Sequence, residues 1–195
     1  LRGVGFVQVP TTLLAQVDSS VGGKVGVNLK AGKNLVGAFY QPQHVLCDLD
    51  MLKTLPKREL RAGLAEVIKY GIIDDATLFR RLERRLPALL KLDAKELAHV
   101  VARSCQIKAK VVEEDEHEGG LRAILNYGHT IGHALEAISS YGKYLHGEAI
   151  SIGQVAASKI SRDQHGLGQA EVERIEALFI AAGLPTTVAL SKKDT

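Results

Sequence analysis

A change of pattern near residue 50 constrains the fold of this 195-residue chain more than any other feature. From there onward the apolar residues recur every three to four positions, which is the spacing of one buried face on an α-helix. Glycines that follow these segments and prolines that precede them mark the helix ends. The pattern predicts six helices, near 57–73, 75–85, 94–114, 121–138, 147–165 and 169–182.

The first 50 residues are instead rich in glycine, threonine, asparagine and valine. We expect a short strand over 6–10, which ends at a proline, and a second strand over 44–47. A short helix is expected over 11–17, followed by a glycine-rich loop over 19–28. The N-terminal part therefore differs in kind from the helical remainder.

Composition excludes several classes of protein. The hydrophobic share of 46% and the charged share of 24% are typical of a soluble globular chain, and the apolar runs fall short of the roughly 18 residues that cross a membrane. A net charge of +3 and the absence of tryptophan argue against nucleic-acid binding. Two cysteines and no recognisable signal peptide favour a reducing, cytoplasmic setting. The chain opens at Leu1 without methionine, so we expect a piece of a longer protein.

The segment 121–138 carries an unusual polar stripe. On one continuous helix, a face about 80° wide would hold Arg122, Asn126, His129, His133 and Glu136. A solvated face is usually filled with lysine and glutamate, whereas this one is rich in asparagine and histidine. The stripe is either an exposed polar face or part of a site.

His129 and His133 are four residues apart, so both imidazoles can reach one metal ion. A metal site needs a third ligand, for which His146 and Glu66 are the candidates. One histidine of the pair would alternatively serve a substrate. The spacing leaves these possibilities open.

Four further charged residues stand out in the sequence. Glu66 and Lys69, taken alone, are expected to form a surface pair. Lys108 lies in the centre of an apolar helix face, so it either extends to solvent or reaches an anion. The Gly22-Gly23-Lys24 loop is either a phosphate-binding loop or a glycine-rich turn, and it is not a Walker loop, because Asp18 and Val25 occupy positions where that motif has other residues.

Several blocks of sequence resemble the 3-dehydroquinate synthase family, and they follow one another in the family's order. They are Val9–Lys24, Gly32–Gly37, Ala65–Lys69, Leu125–His133 and His146–Ala149. The resemblance implies a mainly α fold: residues 1–50 would end an NAD-binding α/β domain, with its last strand and glycine-rich loop, and residues 51–195 would form a helical metal- and substrate-binding domain. It also implies NAD and a divalent metal, zinc or cobalt, as cofactors.

The resemblance also implies roles for single residues. The metal ligands would be Glu66, His129 and His146. The carboxylate of the substrate would be bound by Lys108 and Arg122, and its phosphate by Lys24, Asn34, Asn126 and His133, with Arg2 reaching the site of a neighbouring subunit in a homodimer. Catalytic roles would fall to Asp18, Lys69, Asn126 and His133. The positions that line NAD would be Thr11, Thr12, Lys24, Lys33, Met51, Leu52, Lys53 and Thr54.

The reaction implied by the resemblance converts 3-deoxy-D-arabino-heptulosonate 7-phosphate into 3-dehydroquinate and phosphate, a step of the shikimate route to aromatic amino acids. One alternative is another sugar-phosphate cyclase, whose substrate lacks the carboxylate that Lys108 and Arg122 would bind. An iron-dependent alcohol dehydrogenase is disfavoured for the same reason. A different alternative is a metal-binding, dimerising module without turnover of its own.

Overall fold

The structure is a computed structural model that describes residues 4–29, 32–115, 120–139 and 143–188, with side chains described outside 27–29 and 32–35. Within these residues it confirms a mainly helical chain with short strands at the N-terminal end. The α-helices are α1 (Lys57–Ile73), α2 (Ala76–Leu90), α3 (Ala94–Glu114), α4 (His129–Ile138), α5 (His146–His165) and α6 (Gln169–Ala181). None of the described helices is both long and apolar enough to span a bilayer.

Short strands precede α1 and form two separate pairs in the described part of the chain. They are β1 (Val7–Gln8), β2 (Lys24–Leu29), β3 (Gly32–Phe39) and β4 (His44–Val45). β1 and β4 pair in parallel, whereas β2 and β3 form an antiparallel hairpin. The strands expected over 6–10 and 44–47 are therefore present but shorter than predicted.

The glycine-rich loop predicted over 19–28 is wrong in its second half, because that half belongs to β2. Val25 and Val27 have high strand propensity, and they pair with Ala38 and Val36 of β3. These partners lie some ten residues further along the chain, so the local sequence does not reveal them. The prediction of a loop relied on the glycines alone.

Two short helical segments flank the strands. A π-helical turn, Ala15–Ser19, begins later than the helix predicted over 11–17. A 3-10 helix, Leu49–Thr54, leads into α1, and its N-cap Asp48 accepts a hydrogen bond from the backbone N–H of Asp50. Both segments pack on α3 and bring the N-terminal part against the helical domain.

α1 is the central element of the molecule. It packs against α2, α3, α5 and α6, and its residues 62–71 are buried without interruption. A helix covered on every side has no face left for water. Polar side chains in the middle of α1 are consequently held in the protein interior.

The prediction ended α2 near residue 85, but the helix continues through Pro87 to Leu90. A proline inside a helix removes one backbone hydrogen bond and often ends the helix. Here Leu86 and Leu89 are buried on the core side, while Pro87 is exposed. Burial of the two leucines holds the last turn in place.

The prediction of one continuous helix over 121–138 is wrong. A 3-10 helix, Leu121–Asn126, ends before Gly128, and α4 begins only at His129. Gly128 has a φ of 78°, in the left-handed region that favours glycine. The predicted polar stripe is therefore split between two helices with different axes.

Close approach of α5 explains this break. A β-carbon at Gly128 would lie 2.5 Å from the backbone nitrogen of Gln154, and one at Gly153 would lie 2.0 Å from the carbonyl oxygen of Gly128. Both positions therefore require glycine, because the two backbones are in direct contact. This contact fixes the start of α4 against α5.

Candidate functional site

Glu66 and Lys69 form an ion pair inside α1. Their side chains are 0% and 2% exposed, and the Lys69 ammonium contacts Glu66 Oε2. The expected surface pair is therefore wrong, because α1 is covered by other helices on every side. A carboxylate at this depth is stable only with compensating positive charge.

Two histidines lie beside the Glu66 carboxylate, and a third packs against both of them. His129 begins α4, His133 lies one turn further along, and His146 begins α5. The ring centroids of each pair are 5.4–5.8 Å apart. The Nε2 atoms of His129 and His146 lie 3.4 Å and 3.6 Å from Glu66 Oε1.

These distances fit a shared metal ion better than direct hydrogen bonds. Two donors bound to one tetrahedral ion at about 2.0–2.1 Å stand roughly 3.3–3.5 Å apart, whereas an N–H···O hydrogen bond is about 2.9 Å long. Apart from the ion pair with Lys69, the carboxylate of Glu66 accepts no hydrogen bond from the described part of the chain. One donor atom each from Glu66, His129 and His146 lie within 4.8 Å of one another. The donor set therefore fits a divalent metal.

The charges around Glu66 keep it ready to act as a ligand. Burial raises the pKa of Glu66, but the Lys69 ammonium and the imidazoles of His129 and His146 outweigh burial and hold that pKa well below its usual range. Burial lowers the pKa of His146, yet Glu66 and Glu136 raise it above its ordinary value. Glu66 is thus an anion at neutral pH, as a metal ligand must be.

The backbone at the start of α5 is held by a clamp from α1. Two nitrogens of the Arg58 guanidinium, Nε and Nη2, each donate to the Glu148 carboxylate at 2.7 Å. Glu148 Oε2 in turn accepts the Leu145 N–H at 2.9 Å, immediately before His146. The clamp fixes the first turn of the helix that carries His146.

Lys108 has an anionic partner inside the protein. Its ammonium donates to the Asp18 carboxylate and to the Asp18 carbonyl oxygen, each at 2.7 Å. Tyr70, fully buried on α1, donates its hydroxyl to the same carboxylate at 2.9 Å. Burial raises the pKa of Asp18, but the Lys108 ammonium outweighs it and the pKa is lowered overall. Of the two interpretations of Lys108, the structure supports the one in which it reaches an anion.

Arg122 is buried next to this group. Its Nη2 donates to the Gly22 carbonyl at 3.2 Å, and its backbone N–H donates to Asp115. A β-carbon at Gly22 would lie 3.2 Å from Arg122 Nη2 and 3.6 Å from Lys108 Cε. The glycine-rich turn thus lies against both cations that the resemblance assigns to a carboxylate.

Asn126 and Lys24 lie elsewhere on the surface. Asn126 is exposed and lines a cavity of about 560 Å³ between the end of α1 and α6. The cavity lining does not include the histidines. Lys24 is exposed at the start of β2.

The remaining predicted residues are distributed over the N-terminal part. Thr11 is exposed, and Thr12 Oγ1 accepts the Ala15 N–H. In the 3-10 helix before α1, the Leu52 side chain is part of the core, while the exposed residues are Met51, Lys53 and Thr54. Lys33 and Asn34 are on β3, but their side chains are outside the described ones, and Arg2 is outside the described residues.

Sequence reasoning assigned no role to two residues of this site, Tyr70 and Glu136. Tyr70 follows Lys69 directly and is buried on Asp18. Glu136 Oε2 lies 3.5 Å from His146 Nδ1. Glu136 lies two turns after His129 on the same helix face, and this spacing could have indicated that it belongs to the site.

Comparisons with known proteins match the same family over both parts of the chain. Residues 63–195 match the family model described as 3-dehydroquinate synthase C-terminal, and residues 1–62 match the one described as 3-dehydroquinate synthase N-terminal. The 3-dehydroquinate synthase of Desulforamulus reducens is 58% identical over 186 residues, and that of Citrifermentans bemidjiense is 59% identical over 186 residues. These alignments cover 95% of this chain but 52% and 51% of the relatives, so the chain spans about half their length.

Solved structures of related enzymes have the same fold. A 2-epi-5-epi-valiolone synthase from Streptomyces hygroscopicus with NAD⁺ and Zn²⁺ bound has a TM-score of 0.89 at 30% identity, over 99% of this chain and 54% of that one. A 2-deoxy-scyllo-inosose synthase complexed with carbaglucose-6-phosphate, NAD⁺ and Co²⁺ has a TM-score of 0.84 at 33% identity, over 98% and 52%. With family models matched along its whole length, the chain belongs to the 3-dehydroquinate synthase family.

Proposed function

We propose that the whole protein is a 3-dehydroquinate synthase, which converts 3-deoxy-D-arabino-heptulosonate 7-phosphate into 3-dehydroquinate and phosphate in the shikimate route to chorismate and aromatic amino acids. The observation that carries the proposal is the convergence of three metal donors, Glu66, His129 and His146, together with two buried cations that lie against Asp18 and Gly22. The cations are Lys108 and Arg122. A site of this composition suits a substrate that is both metal-bound and anionic.

The proposed cofactors are NAD and a divalent metal, Zn²⁺ or Co²⁺, with Glu66, His129 and His146 holding the metal. One carboxylate and two imidazoles are ligands that suit these ions. The two solved relatives above carry NAD⁺ with one or the other ion. When bound, these groups supply polarisation of a substrate oxygen and reversible uptake of hydride.

Lys108 and Arg122 are proposed to bind the substrate carboxylate. A lysine ammonium has three N–H donors, and two of those on Lys108 are engaged by Asp18. The third would donate to the substrate anion. The Arg122 guanidinium offers a planar fork that matches a carboxylate.

The other assignments follow the resemblance. Phosphate binding is proposed for Lys24, Asn34, Asn126 and His133, with Arg2 supplied by a second subunit of a homodimer. Asp18 and Lys69 are proposed to act on the ring hydroxyls, beside the metal. NAD is proposed to lie along Thr11, Thr12, Lys24, Lys33 and the Met51–Thr54 segment. The division into an NAD-binding part, 1–50, and a helical part, 51–195, belongs to the same proposal.

A cytoplasmic location is also proposed. Cys47 and Cys105 are free thiols. Both lie close to the Gln16 carbonyl, at 4.0 Å and 3.2 Å, without forming a disulfide. Free thiols in this state are typical of reducing compartments.

A cyclase that acts on a sugar phosphate without a carboxylate is the second candidate. The fold is shared with such enzymes, as the valiolone and inosose synthases indicate. The pairing of two buried cations, Lys108 and Arg122, in one place favours the first candidate, because the resemblance assigns both to a carboxylate that the alternative substrate lacks.

The test is turnover by the whole protein supplied with NAD and zinc. We expect release of one phosphate per 3-dehydroquinate formed from 3-deoxy-D-arabino-heptulosonate 7-phosphate, and no release from a heptulose phosphate that lacks the carboxylate. Lys108→Met should raise the KM for the first substrate at least about tenfold, as expected for one lost charge-assisted hydrogen bond. Lys110→Met, an exposed lysine on the same helix, is the matched control.

Two other outcomes would contradict the proposal. Turnover of the substrate without a carboxylate would favour the second candidate. Full activity of residues 1–195 alone would contradict the assignment of the activity to the whole protein. Metal binding by this chain without turnover agrees with that assignment and would identify the chain as a metal-binding module.

A further inference from the structure

The ring of His146 lies between two carboxylates, one at each nitrogen. Nε2 is 3.6 Å from Glu66 Oε1, and Nδ1 is 3.5 Å from Glu136 Oε2. The Glu136 side chain is 8% exposed and comes from α4, whereas His146 begins α5. An acidic side chain this deeply buried needs a hydrogen-bond donor or a cation nearby.

His129 has the same arrangement with a different acceptor. Its Nε2 faces Glu66 at 3.4 Å, and its Nδ1 lies 3.3 Å from the Tyr127 carbonyl oxygen. Both histidines therefore turn Nε2 toward the same carboxylate oxygen and Nδ1 toward a separate acceptor. A histidine that binds a metal through one nitrogen commonly donates the N–H of the other to a carboxylate or a carbonyl.

Only one nitrogen of a neutral imidazole carries a hydrogen. For Nε2 to bind a metal ion beside Glu66, its lone pair must face that ion, which places the hydrogen on Nδ1, facing Glu136. The tautomer of His146 then depends on the acceptor behind it.

We propose that Glu136 is a positioning residue of the metal centre: its carboxylate accepts the Nδ1–H of His146 and thereby directs the Nε2 lone pair at the ion beside Glu66. This inference rests on the metal site in the proposed function. Glu136 does not touch the substrate or the metal in this arrangement.

A rival arrangement uses Glu136 as a ligand. Donor atoms of His133, Glu136 and His146 also lie within 4.8 Å of one another. His146 belongs to both donor sets, and a neutral ring has one lone pair available for a metal. A single ion at Glu66 with Glu136 behind the ring leaves the N–H of His146 in place, whereas two ions require His146 to give it up.

The test measures metal binding rather than turnover. Cobalt is titrated into the chain in competition with a chelator, and the visible spectrum of the bound Co²⁺ is recorded for the wild type, Glu136→Gln, Glu136→Ala and Glu66→Ala. We expect one Co²⁺ per chain, a 10–100-fold loss of affinity and an altered spectrum for Glu136→Ala, and a smaller loss for Glu136→Gln, whose amide oxygen still accepts the N–H. Glu113→Ala, an exposed glutamate on α3, is the matched control and should bind as the wild type does.

The outcomes separate this inference from the metal site itself. If Glu136→Ala and Glu136→Gln bind Co²⁺ with wild-type affinity and spectrum while Glu66→Ala does not bind, the metal site stands and the role of Glu136 is refuted. Two Co²⁺ per chain, with one lost in Glu136→Ala, would make Glu136 a ligand and overturn the inference. No Co²⁺ binding by the wild type would overturn the metal site, and the role of Glu136 with it. If Glu136→Ala does not fold, the comparison of Glu136→Gln with the wild type still decides.

Discussion

At the scale of single residues, the site depends on buried charges that neutralise one another. Lys69 lies against Glu66, and Lys108 lies against Asp18, so each carboxylate has a cation within contact distance. Removing one member of a buried pair leaves an uncompensated charge and typically costs about 3–5 kcal/mol. These pairs therefore fix the positions of the charged side chains and make the interior sensitive to single substitutions.

Cys105 provides a residue-scale prediction. Burial raises the pKa of its thiol to about 11, and the neighbouring Cys47 acts in the same direction. At pH 8 the thiolate fraction is then about one in a thousand, against about one in four for an ordinary cysteine of pKa about 8.5. We expect iodoacetamide to alkylate Cys105 at least about 100-fold more slowly in the native chain than in the urea-unfolded chain. Peptide mass spectrometry over time measures this, and equal rates in the two states would contradict the prediction.

At the scale of elements, most helices follow from local sequence. The predicted bounds of α1 and α3 agree with the structure, and those of α5 and α6 differ by one residue. Apolar spacing and caps set these bounds locally. The break at Gly128 could not be read in the same way, because it arises from backbone contact with Gly153 on α5.

The burial of Glu66 could not be predicted from the sequence either, because it depends on how the helices pack. A wheel of α1 identifies a less apolar side, but it does not indicate whether another helix covers that side. The histidine spacing and the isolated lysine on α3 did indicate a site. The second acceptor for His146 required knowledge of how α4 meets α5.

The N-cap of α2 gives an element-scale prediction with a pH dependence. Asp75 Oδ1 accepts the backbone N–H groups of Thr77 and Leu78, and Oδ2 accepts from Arg103 Nε at 2.5 Å. Burial raises the pKa of Asp75, but these donors outweigh it and lower the pKa overall. We expect Asp75→Ala to lower the free energy of unfolding by about 1–2 kcal/mol at pH 7.

The sign of the pH effect follows from the lowered pKa. The contribution of Asp75 is fully present above its unfolded-state pKa of about 3.9 and is lost as the pH falls through the lower folded-state value. The difference in the free energy of unfolding between the wild type and Asp75→Ala, measured by urea titration, should therefore shrink from about pH 5 to about pH 3. Asp163→Ala, at an exposed pair with Arg162, is the control and should cause little change. A difference that stays constant down to pH 3 would refute the electrostatic part of the explanation.

At the scale of the whole molecule, three elements meet at the proposed metal. Glu66 comes from α1, His129 from α4 and His146 from α5. An ion bound here links the central helix α1 to α5, which packs on it, and to α4, which packs on α5. Binding that occurs only in the folded state raises stability by mass action.

Metal-linked stability is the corresponding prediction. Zinc at 100 times its dissociation constant should add about 2.7 kcal/mol and raise the Tm by about 5–10 °C for a chain of this size. Glu66→Ala, His129→Ala and His146→Ala should each abolish the shift, whereas His133→Ala should retain it. Thermal unfolding with and without zinc, together with the metal content of the purified chain, measures this. A shift that needs His133 but not His146 would reassign the ligands to the i,i+4 pair.

The contact between Gly128 and Gly153 also has a kinetic consequence. It fixes α4 on α5 through backbone atoms, and the Arg58–Glu148 clamp fixes the start of α5 on α1, so the ligand-bearing ends are positioned by contacts that do not involve an ion. Capture of an ion then requires no ordering of the chain. The rate of loading should be set by diffusion and by the water molecules the ion sheds, so that exchange of one metal for another proceeds without unfolding.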